Sequence, residues 1–125
     1  MDKNLIGTSS SATTIVSEKN TAKTVGSGTL EVFSTPMMVA LMEEAACLGM
    51  VSLLSDGQTS VGTQISVSHV AASKLGNTIN ASATITKIDG KSVEFDVIAF
   101  DGDTKIGFGT HTRFIVNEAK FMSRL

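Results

Sequence analysis

Two periodicities divide the chain. From Phe33 to Leu54 apolar residues fall on nearly every side of a helical wheel, interrupted by Glu43 and Glu44. Thr35 is placed to cap this helix, because its hydroxyl can accept from a free first-turn amide. Pro36 then occupies the first helical position, where a missing N–H costs nothing. Ser55-Asp56-Gly57 supplies the stop, with Gly57 able to turn left-handed. A helix apolar all round is a buried one. At about 1.5 Å per residue it runs about 28 Å, and with two charges in its middle it reads as a core helix rather than a membrane span.

After the helix the period changes to two. Val61, Thr63, Ile65, Val67, His69 and Ala71 share one face, with Ser60, Gln64, Ser66 and Ser68 on the other. Thr78 to Ile88 alternates with Ile79, Ala81, Ala83 and Ile85 on the apolar side, and Ser92 to Phe100 with Val93, Phe95, Val97 and Ala99 in phase. Asp89-Gly90 is a two-residue hairpin signal, and Asp101-Gly102-Asp103 turns the chain again before a last strand, Lys105 to Val116. Ahead of the helix, Ala12 to Val16 reads as a strand, Thr24 to Gly28 as a Gly-rich loop, and residues 1 to about 9 as a loosely anchored lead-in. Strands joined by tight turns pair antiparallel. The expected fold is therefore α+β: a curved antiparallel sheet of about five strands wrapped around one long central helix. Sheet edges and an uncovered helix side call for a second copy, giving a homodimer or a tetramer built from dimers.

Composition narrows the function. At 125 residues the chain is one domain, 1–125. Ten basic against twelve acidic residues leave a net charge of −2, and there is no Trp or Tyr. Neither a basic patch nor stacking platforms point to nucleic acid. The single Cys47, inside the helix, reads as a small core residue in a reducing compartment. With no apolar signal segment at the start, the expected location is the cytoplasm, without a membrane partner.

The candidate chemistry centres on the helix carboxylates. Glu43 and Glu44 point about 100° apart. Their neighbours one turn away, Val39, Ala40, Ala46 and Cys47 for the first and Ala40, Leu41, Cys47 and Leu48 for the second, do not choose between them. In one reading one carboxylate reaches solvent and the other forms an ion pair. In the other, one lines a partly dry pocket and serves as a base. His69 is either a hydrogen-bonded core residue or a proton carrier. His111 and Arg113 share their phase with Gly107 and Gly109, whose bare backbones let the helix or a ligand approach. Two His and one Cys without paired spacing hold no zinc, and no Gly-x-Ser-x-Gly elbow supports a serine hydrolase.

Four pieces in order, Phe33-Ser34-Thr35-Pro36-Met37-Met38-Val39-Ala40-Leu41-Met42-Glu43, Ser60-Val61-Gly62-Thr63, Val67-Ser68-His69 and Gly107-Phe108-Gly109-Thr110-His111-Thr112-Arg113, resemble the hotdog-fold thioesterases. Within them they are most similar to the fluoroacetyl-CoA thioesterase group, from about residue 20 to 122. The resemblance implies a hotdog fold and hydrolysis of an acyl-CoA thioester at a dimer interface, with no metal or other cofactor. It puts the catalytic Thr, Glu and His on Thr35, Glu43 and His69, and substrate contacts on Gly62 and Arg113. It implies Glu43 as base or nucleophile, His69 as proton shuttle, and Thr35 holding water or carbonyl. The group's aromatic lid has no counterpart in Thr24-Val25-Gly26-Ser27-Gly28-Thr29, which points to a broader or different short-acyl specificity. A non-catalytic acyl-CoA binding module and a hotdog hydratase or dehydratase are the alternatives. Eight helical residues separate Thr35 from Glu43 by about 12 Å along the axis, so the site is expected to mix chains or to hold the acyl group between these side chains.

Overall fold

The protein, described by a computed structural model over residues 3–125, places its elements as follows. β1 (Ser9–Ile15) and a one-turn helix α1 (Ala22–Val25) precede the long helix α2 (Thr35–Met50), which tightens into a 3₁₀ turn at Val51–Leu53. β2 (Gln58–His69), β3 (Thr78–Asp89), β4 (Ser92–Asp101) and β5 (Thr104–Asn117) follow, and α3 (Glu118–Ser123) ends the chain. One antiparallel sheet has the order β1-β3-β4-β5-β2.

The two tight turns form at the expected glycines. Gly90 and Gly102 both take φ 60°, a region open to a residue without Cβ. β2 and β3, though consecutive, are not neighbours: residues 70–77 carry the chain from one side of the sheet towards the other, and β2 pairs with β5. That leaves β1 and β2 as the edges. The segment expected as a loop at Thr24 to Gly28 is in part the helix α1, capped by Thr21 and closed by Gly26 at φ 83°. The lead-in is tied down from Leu5, which packs on the core, and Gly7 donates its N–H to the Ile85 carbonyl at 2.8 Å. Residues 1 and 2 of that expected lead-in lie outside the described residues.

The core lies between α2 and the inner sheet face. Met38, Leu41, Met42, Ala45, Ala46 and Met50 meet Ile79, Ala81, Ala83 and Ile85 of β3 and Val93, Phe95, Val97 and Ala99 of β4. Each large side chain so buried contributes roughly 1.5–3 kcal/mol. The helix is not buried on every side, however. Its outer stripe, Ala40, Glu44, Cys47, Leu48 and Val51, faces out, with Leu48 51% and Val51 65% exposed. Cys47, expected in the core, is therefore an exposed thiol: both helix faces are apolar, so composition does not tell inward from outward. By length and composition Thr35–Leu53 is apolar enough to cross a membrane, at mean hydropathy 1.4; here its inward stripe packs on the sheet, as a core helix does.

One irregularity positions the site. Gly62 pairs with Arg113 and Gln64 with Thr112, so Thr63 is an extra residue, a β-bulge. A bulge reverses which side chains face inward. Beyond it Ile65, Val67 and His69 face the helix as expected. Before it Ser60 and Gly62 do, and Val61 and Thr63 turn to the outer face, contrary to the alternation read from sequence. Val61 consequently pairs with the exposed Phe114.

Candidate active site

The start of α2 decides what Thr35 can do. Ser34, not Thr35, is the N-cap: it sits at φ −80°, ψ 149°, and its hydroxyl accepts from the Met37 N–H at 3.3 Å. One oxygen suffices for that amide, and Thr35 as the first helical residue keeps its hydroxyl free. Thr35 Oγ1 lies 2.7 Å from His69 Nδ1. His69 is the last residue of β2, opposite Gly107, and its Nε2 is buried with no hydrogen-bond partner. Burial pushes the His69 pKa below its usual value, against an opposing pull from the Ala71 backbone. The pair opens on a cavity of about 310 Å³ walled by Ala22, Ser27, Phe33 and the 69–72 segment.

Glu43 stands in a second niche. Its side chain is 40% exposed, and its Oε2 lies 3.9 Å from Arg113 Nη1. Gly62 forms the opposite wall: a Cβ there would come within 3.0 Å of Glu43 Oε2 and 3.2 Å of His111 Cε1. Gly62 is thus needed for close approach. Glu44 falls on the exposed stripe, so of the two carboxylates only Glu43 meets the sheet's polar half. A cavity of about 210 Å³ opens beside Glu43, Gly62 to Ile65 and His111.

Arg113 is 6% exposed. Its Nε donates to Ser60 Oγ at 2.9 Å, Nη2 to the Ser60 carbonyl at 3.1 Å, and Nη1 contacts His111 Nε2 at 3.2 Å. Three of the five N–H donors of this guanidinium are thus engaged inside the chain, one on each nitrogen, and its charge faces Glu43. His111, 1% exposed, was not among the expected site residues. Its signal in the sequence is the sharing of an inward strand phase with Arg113 and two glycines, a polar run where a sheet core would be apolar.

Among the described residues no hydrogen bond joins Glu43 to Thr35 or His69. The protomer brings Thr35 to His69, and Glu43 to Gly62 and Arg113, in two separate niches. No group of three His, Cys, Asp or Glu among the described residues is arranged to hold a metal.

The comparisons with known proteins agree with this architecture. The family model of the fluoroacetyl-CoA-specific thioesterase matches residues 16–119. A fluoroacetyl-CoA thioesterase from Streptantibioticus cattleyicolor is 39% identical over 95 residues, 76% of this chain and 68% of that protein. The crystal structure of a variant of the fluoroacetyl-CoA-specific thioesterase FlK with fluoroacetate and CoA superposes with a TM-score of 0.87 at 33% identity, over 93% of this chain and 98% of that one. A Thermus thermophilus protein of the thioesterase superfamily gives 0.87 at 25% identity, over 95% and 88%. With the hotdog arrangement of sheet and helix and a match over most of its length, the chain belongs to the fluoroacetyl-CoA-specific thioesterase family.

Proposed function

We propose that this acyl-CoA thioesterase hydrolyses a short-chain acyl-CoA to the free acid and CoA at a site completed by two copies of the chain. The observation that carries the reading is the 2.7 Å contact of Thr35 Oγ1 with His69 Nδ1 at the start of α2, beside an open cavity. The positive end of the helix dipole favours the negative oxygen that develops on a thioester carbonyl under attack. Thr35 holds the carbonyl or the attacking water. Glu43 takes a proton from that water as its oxygen adds to the carbonyl carbon, and His69 relays this proton to the CoA sulfur as the tetrahedral intermediate expels it, which leaves Glu43 ionised and His69 neutral again. In the nucleophilic variant the Glu43 carboxylate adds first and displaces the CoA thiolate, which leaves as the thiol on protonation, and water then opens the resulting anhydride to the free acid and Glu43. An acyl adduct on Glu43 after rapid quenching distinguishes the two.

The edge strand supports the shared site. Gly62 and His69 lie seven residues apart on β2, roughly 23 Å at about 3.3 Å per residue, and both face inward. Antiparallel pairing of β2 with its own copy about an axis midway between them brings His69 and Thr35 of one protomer to Gly62 and Glu43 of the other. It also covers an open edge. The absence of aromatic residues in Thr24 to Thr29 favours an acyl group other than fluoroacetyl.

A thiol-release assay across short acyl-CoA substrates tests the reading. Glu43→Ala and His69→Ala are each expected to lower turnover on the order of a hundredfold or more, with the dimer intact. Mixing the two inactive variants under conditions of subunit exchange restores about a quarter of wild-type turnover if each site draws on both chains. Losses under about tenfold for both single variants sink the assignment of Glu43 and His69 as the reacting groups. A mixture as inactive as its parts sinks the shared site. Ligand retention without thiol release leaves a binding module instead.

A further inference from the structure

We propose that His111 is a positioning residue that fixes both walls of the Glu43 niche. This rests on the reading of Glu43 as the reacting carboxylate. The His111 ring makes two directed contacts. Nδ1 lies 2.7 Å from the Gln64 carbonyl, which can only accept, so Nδ1 carries the hydrogen. In a neutral ring Nε2 is then an acceptor, and Arg113 Nη1 supplies its donor at 3.2 Å. The first contact pins β2 immediately after the bulge that turns Gly62 towards Glu43. The second aims the guanidinium whose Nη1 stands 3.9 Å from Glu43 Oε2.

The rest of the surroundings leave the ring one position. Phe95 stacks against it at 6.3 Å between centroids and 28° between planes. Ser60 holds the other two guanidinium nitrogens. Arg113 therefore gives Glu43 a fixed charge at 3.9 Å rather than a bidentate hydrogen-bonded pair, and the carboxylate keeps its oxygens for a reactant. The charged and titratable groups facing the ring are Arg113 from β5 and Glu43 from α2; β2 contributes Ser60, Gly62 and Gln64, and β4 contributes Phe95. Burial and the Arg113 charge hold the His111 pKa down, against the Gln64 carbonyl and Glu43. The neutral form that the geometry needs is thus the favoured one.

His111→Gln and His111→Phe test this in the full-length enzyme. Both are expected to lower kcat about tenfold to a hundredfold, the scale of an ångström-level misplacement, with KM within about twofold. In a Glu43→Gln background His111→Gln should change the residual rate less than about twofold, because its effect runs through the carboxylate. A purely structural role predicts the same factor in both backgrounds, and that result overturns the proposal, as does a kcat within about twofold of wild type. Ring-nitrogen NMR of the unmodified protein provides a reading independent of variant folding. A neutral Nδ1–H tautomer at pH 7 supports the proposal, and a protonated or Nε2–H ring overturns it. Normal turnover by Glu43→Ala instead removes the reading of Glu43 as the reacting carboxylate, which keeps the two failures apart.

Discussion

One sheet face does two jobs. On β3 and β4 every inward position is apolar, from Ile79 to Ile85 and from Val93 to Ala99, and none is more than 2% exposed. On β5 and β2 the same face carries Gly62, His69, Gly107, Gly109, His111 and Arg113. Both halves lie under the same helix. The first excludes water and makes a core. The second gives up apolar area for glycine gaps and polar side chains, each of which has to be satisfied by another. Stability and chemistry are therefore separated across the width of one sheet, and substitutions should separate with them.

The largest test of that division sets Phe95→Ala against Glu43→Ala. Phe95 is 1% exposed in the apolar half. Its truncation leaves a cavity and costs about 3–5 kcal/mol, or about 10 °C or more in Tm for a domain of this size. Glu43→Ala should move Tm by only a few degrees while abolishing most turnover. Thermal melts at one protein concentration check both. A Glu43→Ala protein that melts as low as Phe95→Ala would mean that the polar half also carries the fold. Phe95 also stacks on His111, so the surviving folded Phe95→Ala enzyme should be slower than its folded fraction alone explains.

The next test lies at the helix start. Ser34 and Thr35 are adjacent hydroxyls with opposite assignments. Ser34→Ala removes the cap and costs about 1 kcal/mol, with turnover per folded molecule kept. Thr35→Ala leaves stability nearly unchanged, because its hydroxyl caps nothing, and takes away the His69 partner. Thr35→Ser keeps the hydroxyl and should retain most activity. Chemical denaturation and thiol release, measured on the same preparations, give the two columns of this comparison. A cap-sized stability loss in Thr35→Ala would return the cap to Thr35.

How much of this was written in the sequence follows the same division. The apolar half was legible: strict alternation set β3 and β4, and Asp89-Gly90 and Asp101-Gly102 marked their turns. Apolar periodicity is a strong signal because a slip of one residue would expose a whole face. The polar half was legible only in its residue types. Thr63 is the bulge, and a β-branched residue between Val61 and Ile65 looks like one more inward position. Ser34 and Thr35 are equally good caps in composition, and only the entry path of the chain, where Ser34 N–H donates to the Asn20 carbonyl at 3.0 Å, selects the first. Cys47 and Leu48 looked like core because the outer helix stripe is apolar too. Arg113 was recognised as a basic residue of the site, but its donors are directed to Ser60 and His111, which no spacing announces.

The smallest effect is a pH dependence of stability confined to the polar half. Burial lowers the pKa of both His69 and His111 from the usual 6.5. In the unfolded chain these rings take up protons as the pH falls through 6.5, before the folded rings do. The unfolded state then binds more protons than the native one, so stability rises with pH in that interval and falls as the medium is acidified through it. Below the lowered native values both states are protonated and the dependence from these groups flattens. The expected melts are level above about pH 7.5 and decline from about pH 6.5 downwards. His111→Gln removes one of the two titrating rings, so its melting temperature, whatever its absolute level, should decline less steeply over the same interval. Glu43 and the Gln64 carbonyl oppose the shift at His111, which keeps the effect to a few degrees rather than an acid collapse. An unchanged slope in His111→Gln would mean that the protonation sensed by the fold belongs to His69 or to carboxylates elsewhere, and that the His111 ring gives up its neutral form without cost to the sheet around it.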